Sequence, residues 1–301
     1  MSRGAQTRYR SDMKNKIPTF HLNNGMEIPA QGFGCWRIKD EVSAVNSVKW
    51  AIQHGYRLID DAAVYMNEPF VGRAIKESGV DRKELLIASK VWVQDCSYEK
   101  CKHAFAKSLE RLGLDYLDLY MIHWPLGDYL GAWKAMEELV RAGKIKAIGV
   151  CNFTEKDLDT LLAHCTIKPV MNQVECHPIF QQKAMHHYLD EHGILMEAWS
   201  PLGHGAVNLL NDPLFVALAQ AHHKTPAQII LRWHYQEGIL ALPKSEHEER
   251  IAQNFDIFDF ELSEDEINEI RKSDTNHRLN NDDPYSEESR KIIASRVYDI
   301  E

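Results

Sequence analysis

The chain has 301 residues, 44% of them hydrophobic, which is enough to bury a large core in one or two domains. Lys and Arg number 35 against 44 Asp and Glu, and the resulting net charge of −9 argues against a nucleic-acid or anionic-membrane partner. The sequence shows no apolar run near the ~20 residues that a membrane helix needs.

Residues 1–16 lack the apolar segment of a secretory signal, so we interpret them as a flexible extension before a single domain spanning 17–301. The six cysteines include no CxxC pair, and scattered thiols are typical of a reducing compartment. We therefore expect a cytoplasmic protein. Nothing in the sequence marks a subunit interface, and a monomer is expected.

The first predicted element is a β-hairpin. Residues 19–29 read TFHLNNGMEIP, with two alternating runs on either side of Asn24-Gly25, the strongest short hairpin signal. Beyond it, amphipathic stretches at 41–54 and 97–112 have apolar residues at helical spacing.

Eight short apolar runs alternate with these helical stretches. They lie near 31–36, 57–60, 85–90, 117–123, 146–151, 170–175, 194–199 and 239–243. Such alternation in a chain of this length predicts an α/β fold, a single (β/α)8 TIM barrel. A Rossmann fold is disfavoured because Gly32-Phe33-Gly34 is not followed by a third glycine. The polar stretch 273–290 predicts a C-terminal surface tail.

Polar or aromatic residues mark the ends of the predicted strands, where such barrels place their active sites. They are Trp36, Asp60, Lys90, His123, Asn152, Gln173, Trp199 and Lys244. Asp60, Lys90 and His123 follow three successive strands, so we expect them to converge, and Tyr65 joins them from a loop.

These four groups suit the protonation of a carbonyl oxygen. A free phenol has a pKa near ~10, and a neighbouring ammonium such as Lys90 would lower the pKa of Tyr65. Asp60 would hold Lys90 in position, and His123 would donate a hydrogen bond to the substrate oxygen. Each residue alone is more often a packing or structural group, and only their convergence favours a site.

Longer motifs resemble those of the aldo-keto reductases over residues 17–272. The matching stretches are GFGCW (32–36), GYRLIDDAAVYMNE (55–68), IASKVW (87–92), YMIHWP (120–125), GKIKAIGVCNF (143–153), NQVECHP (172–178), AWSPLG (198–203) and LPKS with ERIAQN (242–254). The resemblance implies a barrel that binds an extended nicotinamide cofactor without a Rossmann domain and reduces aldehydes or ketones.

The resemblance also assigns residues. It implies a catalytic tetrad of Asp60, Tyr65, Lys90 and His123, with Tyr65 as the general acid. The cofactor contacts that it implies are Cys35, Trp36, Asp60, Cys151, Asn152, Gln173, Trp199, Ser200, Leu202, Gly203, Lys244, Ser245, Arg250, Gln253 and Asn254. Lys244, Ser245 and Arg250 match a pocket for the adenosine 2′-phosphate, so NADPH is expected over NADH, whose binding would be weaker.

Three departures from the family pattern concern charge and hydrogen bonding. Asp61 stands where Thr or Ser is usual, and it would either disturb Lys90 or point into solvent. Cys151 replaces a serine that would bond the nicotinamide carboxamide. Glu246 places a negative charge near the proposed phosphate and leaves dual cofactor specificity open.

The substrate site is expected to be aromatic, with Trp36, Trp92 and Trp124 around His123. The short loop after Pro125 resembles the prokaryotic-type branch, which includes 2,5-diketo-gluconate and methylglyoxal reductases and prostaglandin F synthase-like reductases. Small aldehydes, dicarbonyls and keto sugars are the expected substrates.

Two other functions remain open from the sequence. One is a cofactor-binding barrel with a sensing or regulatory role and little turnover. The other is an aldolase that uses Lys90 to form a Schiff base. No metal site is expected, because the adjacent histidines at 186–187 and 222–223 diverge on helices and cannot chelate one ion together.

Overall fold

The computed structural model describes residues 17–205 and 208–300. The extension predicted at 1–16 lies outside these residues, and the domain limits stay a prediction. Within the described ranges, none of the helices has both the length and the apolar character needed to cross a membrane. All six cysteines are free thiols.

The predicted N-terminal hairpin is confirmed. Strands β1 (Thr19–His21) and β2 (Glu27–Pro29) pair antiparallel. The Leu22 amide donates to the Met26 carbonyl at 2.8 Å and closes the turn. Leu22 and the Ile28 side chain of β2 are buried in the apolar cluster that fills the interior of the main sheet, so the hairpin covers the end of that interior.

The main sheet has eight parallel strands that pair in chain order. They are β3 (Phe33–Gly34), β4 (Leu58–Asp60), β5 (Leu86–Val91), β6 (Leu117–Ile122), β7 (Ile145–Cys151), β8 (Met171–Glu175), β9 (Leu195–Trp199) and β10 (Leu240–Ala241). Every predicted strand is present. The two edge strands are also bonded, since Gly32 N donates to Ala241 O and Gly34 N to Pro243 O, each at 3.1 Å.

Helices follow most of the strands and pack on the outer face of the sheet. They are α1 (Glu41–Gln53), α2 (Glu68–Ser78), α3 (Tyr98–Leu112), α4 (Tyr129–Arg141), α5 (Glu155–His164), α6 (Lys183–His192), α7 (Pro213–His222), α8 (Pro226–Gln236), α9 (Glu248–Phe255), α10 (Glu264–Lys272) and α11 (Glu287–Ala294). The predicted helices at 41–54 and 97–112 are confirmed as α1 and α3. Gly113 ends α3 with φ 64, a left-handed conformation that glycine adopts without strain.

Alternate residues of each strand point to opposite faces of the sheet, which places some side chains against the helices and others in the interior. In β4, Leu58 joins the interior cluster while Ile59 packs against the helices, so Asp60 points inward again. In β5 the same alternation places Ala88 inward, and Lys90 follows it on the inner face. Polar side chains therefore stand above an apolar interior, at the carboxyl ends of the strands.

The C-terminal segment is more than the predicted polar surface tail. It forms α11, which begins after the N-cap residue Ser286. Ile293 of α11 is fully buried and packs with Trp92 and Trp124. The Arg290 guanidinium donates to both carboxylate oxygens of Asp157 at 2.9 and 3.0 Å. The segment is polar overall because α11 needs only one apolar stripe to pack against the body of the protein.

Gly72 is a point of close contact between α2 and α3. A Cβ atom at this position would lie 2.2 Å from the backbone oxygen of Leu112, which cannot move aside easily. We expect Gly72→Ala to destabilise the protein by about 1–3 kcal/mol through overpacking, measured by urea denaturation. Lys76→Ala, at an exposed position of the same helix, is the control. Equal stability of the two variants would contradict this account.

Candidate active site

A cleft of about 1130 Å³ opens at the carboxyl ends of the parallel strands. The site residues expected from the sequence that line it are Trp36, Asp60, Tyr65, Trp92, His123, Trp124, Asn152, Gln173, Trp199, Ser200, Leu202, Lys244, Ser245, Arg250, Gln253 and Asn254. Cys35, Lys90, Cys151 and Gly203 are buried behind its wall. The structure thus gathers most of the expected residues around one space.

A buried ion pair lies at the base of the cleft. Lys90 Nζ donates to Asp60 Oδ1 at 2.5 Å and to the Asp61 carbonyl at 2.8 Å. Lys90 has no exposed surface, and Asp60 is 3% exposed. Burial by itself would lower the pKa of Lys90, but the charge of Asp60 raises that pKa overall, so the ammonium stays protonated.

Asp61 behaves in neither of the two expected ways. It is fully buried rather than solvent-exposed, and Lys90 still pairs with Asp60. Neither carboxyl oxygen of Asp61 has a hydrogen-bond partner among the described residues. Burial, reinforced by the charge of Glu68, raises the pKa of Asp61 well above its usual value. The Lys90 ammonium bonds to Asp60 and to the backbone carbonyl of Asp61, not to the Asp61 carboxyl group.

Tyr65 differs from expectation in its acidity. Lys90 Nζ lies 5.2 Å from the centre of the phenol ring, and its charge lowers the pKa as expected. Burial is the larger effect, and it raises the pKa of Tyr65 above that of a free phenol. The expectation of a lowered pKa is therefore wrong for this state, because the loss of solvent around the phenol outweighs the ammonium. Tyr65 keeps its proton at neutral pH.

His123 completes the group at the cleft base. Its ring centre lies 5.7 Å from that of Tyr65 and 5.1 Å from that of Trp92, both in edge-to-face geometry. Burial and the charge of Lys90 hold the pKa of His123 well below its usual value. The imidazole is therefore neutral, and it has one N–H to donate.

Asn152 and Trp199 form a hydrogen-bonded network beside this group, and the backbone amide of Asn152 also donates to the backbone carbonyl of Gln173. Trp199 Nε1 donates to Asn152 Oδ1, and Asn152 Nδ2 donates to the His123 carbonyl, each at 3.0 Å. Asn152 and Ser200 each follow a strand and have left-handed φ values of 59 and 52. Strained backbone of this kind is often found where side chains are held for a ligand.

The far end of the cleft is basic. Lys244, Ser245 and Arg250 line it, and the Ser245 Oγ accepts a hydrogen bond from the His247 amide at 3.1 Å. Glu246 forms an ion pair with Lys244, so it already offsets part of the positive charge that the sequence predicted here.

Two parts of the site were not predicted from the sequence. Leu279, Asn280, Asn281, Asp282, Arg296 and Tyr298 of the C-terminal segment line the cleft. The Trp92 indole donates to the Arg296 carbonyl at 3.0 Å, which ties this segment to the aromatic wall. The paired isoleucines at 292–293 inside a polar stretch were the available signal. The second omission is Glu197, a charged residue at an inward position of the otherwise apolar β9.

The Schiff-base alternative has little support from this geometry. A Schiff base requires a neutral, accessible amine, whereas Lys90 is a buried ammonium held by Asp60. Over the described ranges, no group of three or more His, Cys, Asp or Glu side chains is arranged to hold a metal ion.

Comparisons with known proteins agree on one family. The model of the Aldo/keto reductase family matches residues 31–275. The chain is 50% identical to glyoxal reductase of Bacillus subtilis (strain 168), over 87% of this chain and 94% of that protein. It is 42% identical to methylglyoxal reductase DkgA of Escherichia coli (strain K12), over 87% of this chain and 95% of that protein. The structure of a Bombyx mori aldo-keto reductase in complex with NADP matches with a TM-score of 0.84 at 35% identity, over 88% and 95%.

The charge state of His123 is directly measurable. Because its pKa is depressed, we expect its ring signals in proton–carbon NMR to stay constant from about pH 8 to about pH 5, with His123→Asn used for assignment. In the unfolded chain His123 binds a proton at a higher pH than in the folded protein. This difference lowers the stability of the folded state as the pH falls below ~6.5. That loss should be smaller in His123→Asn. A titration of the His123 signals near ~6.5 would contradict the assignment.

Proposed function

The chain belongs to the aldo/keto reductase family, and we propose that it is an NADPH-dependent reductase of small aldehydes and dicarbonyls. The observation that carries the proposal is the convergence of an acid, its charged neighbour and a neutral imidazole at the base of one cleft. In the same proposal the sheet is a closed (β/α)8 barrel, which the bonds between β3 and the end of β10 support.

The groups around the cleft suit an extended dinucleotide. Lys244, Arg250 and the Ser245 hydroxyl provide two cations and a hydroxyl for a phosphate dianion. The half-buried indole of Trp199 offers an aromatic face, and the amides of Asn152 and Gln173 offer polar contacts at the other end. The two cations and the hydroxyl would hold the 2′-phosphate, and Trp199 would stack on the nicotinamide ring. Asn152 and Gln173 would hold its carboxamide.

A bound nicotinamide cofactor would supply the hydride that reduces the carbonyl carbon. Tyr65 then gives its phenolic proton to the carbonyl oxygen. Because the pKa of Tyr65 is raised, the phenol carries this proton at neutral pH. The positive charge of Lys90, 5.2 Å from the ring, stabilises the phenolate that remains. Asp60 keeps that charge in place.

His123 would orient the carbonyl group. Because the imidazole is neutral, it donates one hydrogen bond to the substrate oxygen and leaves the proton transfer to Tyr65. Trp92 and Trp124 are each 5% exposed and form an apolar wall on this side, which limits the access of water to the reacting atoms.

The C-terminal segment supports a compact substrate. Tyr298 stacks edge-to-face on Trp92 with ring centres 5.5 Å apart, and Arg296 and Asp282 form an ion pair at the cleft wall. These groups narrow the space beside His123. Small carbonyl compounds fit this description, and the names of the glyoxal and methylglyoxal reductases among the similar proteins point to the same class.

Tyr65→Phe tests the proposed mechanism. We expect turnover of methylglyoxal with NADPH to fall about 10²–10⁴-fold, because the general acid is lost, while the Kd for NADPH stays near the wild-type value. Tyr116→Phe is the matched control, since this tyrosine packs against Arg82 and Lys146 away from the cleft. Wild-type turnover in Tyr65→Phe would refute the mechanism. Tight NADPH binding by a wild-type protein without turnover would instead favour a regulatory barrel.

Substitutions at the basic end of the cleft test the preference for NADPH over NADH. We expect Arg250→Met to raise the Kd for NADPH about tenfold or more while leaving the Kd for NADH unchanged, because only NADPH carries the 2′-phosphate. Glu246→Gln should act in the opposite direction, since it frees Lys244 from its ion pair. Fluorescence titration measures both constants. Equal effects of Arg250→Met on the two cofactors would refute the phosphate assignment.

A further inference from the structure

Glu197 is a fully buried carboxyl group for which the proposed mechanism has no use. It lies on β9 two residues before Trp199, so strand alternation points both side chains into the interior of the sheet. In the register of the sheet, Glu197 is opposite Gln173 on β8, and Gln173 is opposite Cys151 on β7. The carboxyl group is therefore level with the amide that lines the cleft.

The side-chain nitrogen of Gln173 has no free donor. Its Nε2 donates to Glu197 Oε2 at 2.6 Å and to Asp60 Oδ2 at 3.1 Å. A primary amide nitrogen has two hydrogens, and these two acceptors engage both of them. Only Oε1 of Gln173, an acceptor, remains available to a molecule in the cleft.

We propose that Glu197 is a positioning residue that fixes the orientation of the Gln173 amide, so that Gln173 presents an acceptor to the carboxamide NH2 group of the bound cofactor. The inference rests on the proposed function. Without Glu197, one N–H of Gln173 would lack a partner and would compete for the cleft, since Asp60 engages only the other. Glu197 thus acts through Gln173 and need not touch the cofactor.

The surroundings of Glu197 favour the neutral form of its carboxyl group. Its Oε1 has no hydrogen-bond partner among the described residues, and the nearby ammonium of Lys90 is held by Asp60. Burial and the charge of Asp60 raise the pKa of Glu197 to about 8. The third titratable group facing it is the buried Cys151 thiol. A proton on Oε1 would leave Oε2 to accept from Gln173, as observed.

The first experiment measures this proton in the cofactor-free protein. The folded state keeps the proton while the unfolded chain loses it above ~4.5, so ionisation costs stability as the pH rises from ~4.5 to ~8. Glu197→Gln has nothing to ionise. We expect the difference in Tm between Glu197→Gln and the wild type to increase in favour of the variant by about 5 °C or more between pH ~4.5 and pH ~8. A difference that is constant with pH would overturn the assigned charge state.

The second experiment measures positioning with two ligands. Glu197→Met fills a similar volume and cannot accept a hydrogen bond, whereas Glu197→Gln keeps a carbonyl acceptor. We expect Glu197→Met to raise the Kd for NADPH about tenfold and Glu197→Gln to change it by less than about twofold. The Kd for 2′,5′-ADP, which has no nicotinamide, should be the same in all three proteins.

The outcomes separate the two proposals. A wild-type Kd for NADPH in Glu197→Met, or an equal loss of affinity for NADPH and 2′,5′-ADP, overturns the positioning role and leaves the proposed function standing. A wild-type protein that binds neither ligand refutes the proposed function, and the positioning role falls with it. Recovery of NADPH affinity in Glu197→Gln relative to Glu197→Met supports the role of the acceptor.

Discussion

The buried ion pair between Asp60 and Lys90 is the interaction on which the rest of the site depends. Two charges without solvent are stable only when they are close and their other hydrogen-bonding positions are filled. Here Lys90 is bonded to the Asp60 carboxylate and to the Asp61 carbonyl, while Gln173 occupies the second oxygen of Asp60. The pair therefore fixes three strands relative to one another and places a permanent positive charge beside Tyr65.

That charge determines the protonation of its neighbours. Together with burial it keeps His123 neutral, and it offsets part of the effect of burial on Tyr65. Burial raises the pKa of both Glu197 and Asp61, and the nearby ammonium of Lys90 is already engaged by Asp60. A cluster rich in carboxyl groups thus holds a single ion pair, which is what a site of low polarity can accommodate.

The fold provides two different environments along one cleft. At the base of the cleft, the Asp60–Lys90 ion pair is buried above the apolar interior of the sheet, which the hairpin covers at its other end. At the outer end, the Lys244 and Arg250 cations remain accessible and form a surface for an anion. The C-terminal segment, anchored by Ile293 and the Arg290–Asp157 pair, builds the side of the cleft next to Trp92. The cleft therefore joins an accessible basic surface to a largely buried base that holds one ion pair.

Most of the strands and helices, and many residues of the cleft, could be predicted from the sequence because they follow from local patterns. Strand and helix periodicity located all eight parallel strands and the hairpin, since both follow from the residues on each face of one element. The polar residues at the strand ends, together with the family motifs, predicted that Asp60, Tyr65, Lys90 and His123 lie close together and that Lys244 and Arg250 line the same cleft.

The charge states and the second side of the site were decided only by the tertiary structure. The direction of the Tyr65 pKa depends on how much solvent the folded chain removes, which no motif records. Aspartate is usually exposed to solvent, but Asp61 is fully buried, and burial raises its pKa. Glu197 is a single charge in an apolar strand, and its bond to Gln173 exists because two strands pair in one register. Local sequence determines which face a residue occupies, whereas desolvation and partners come from segments distant in the chain.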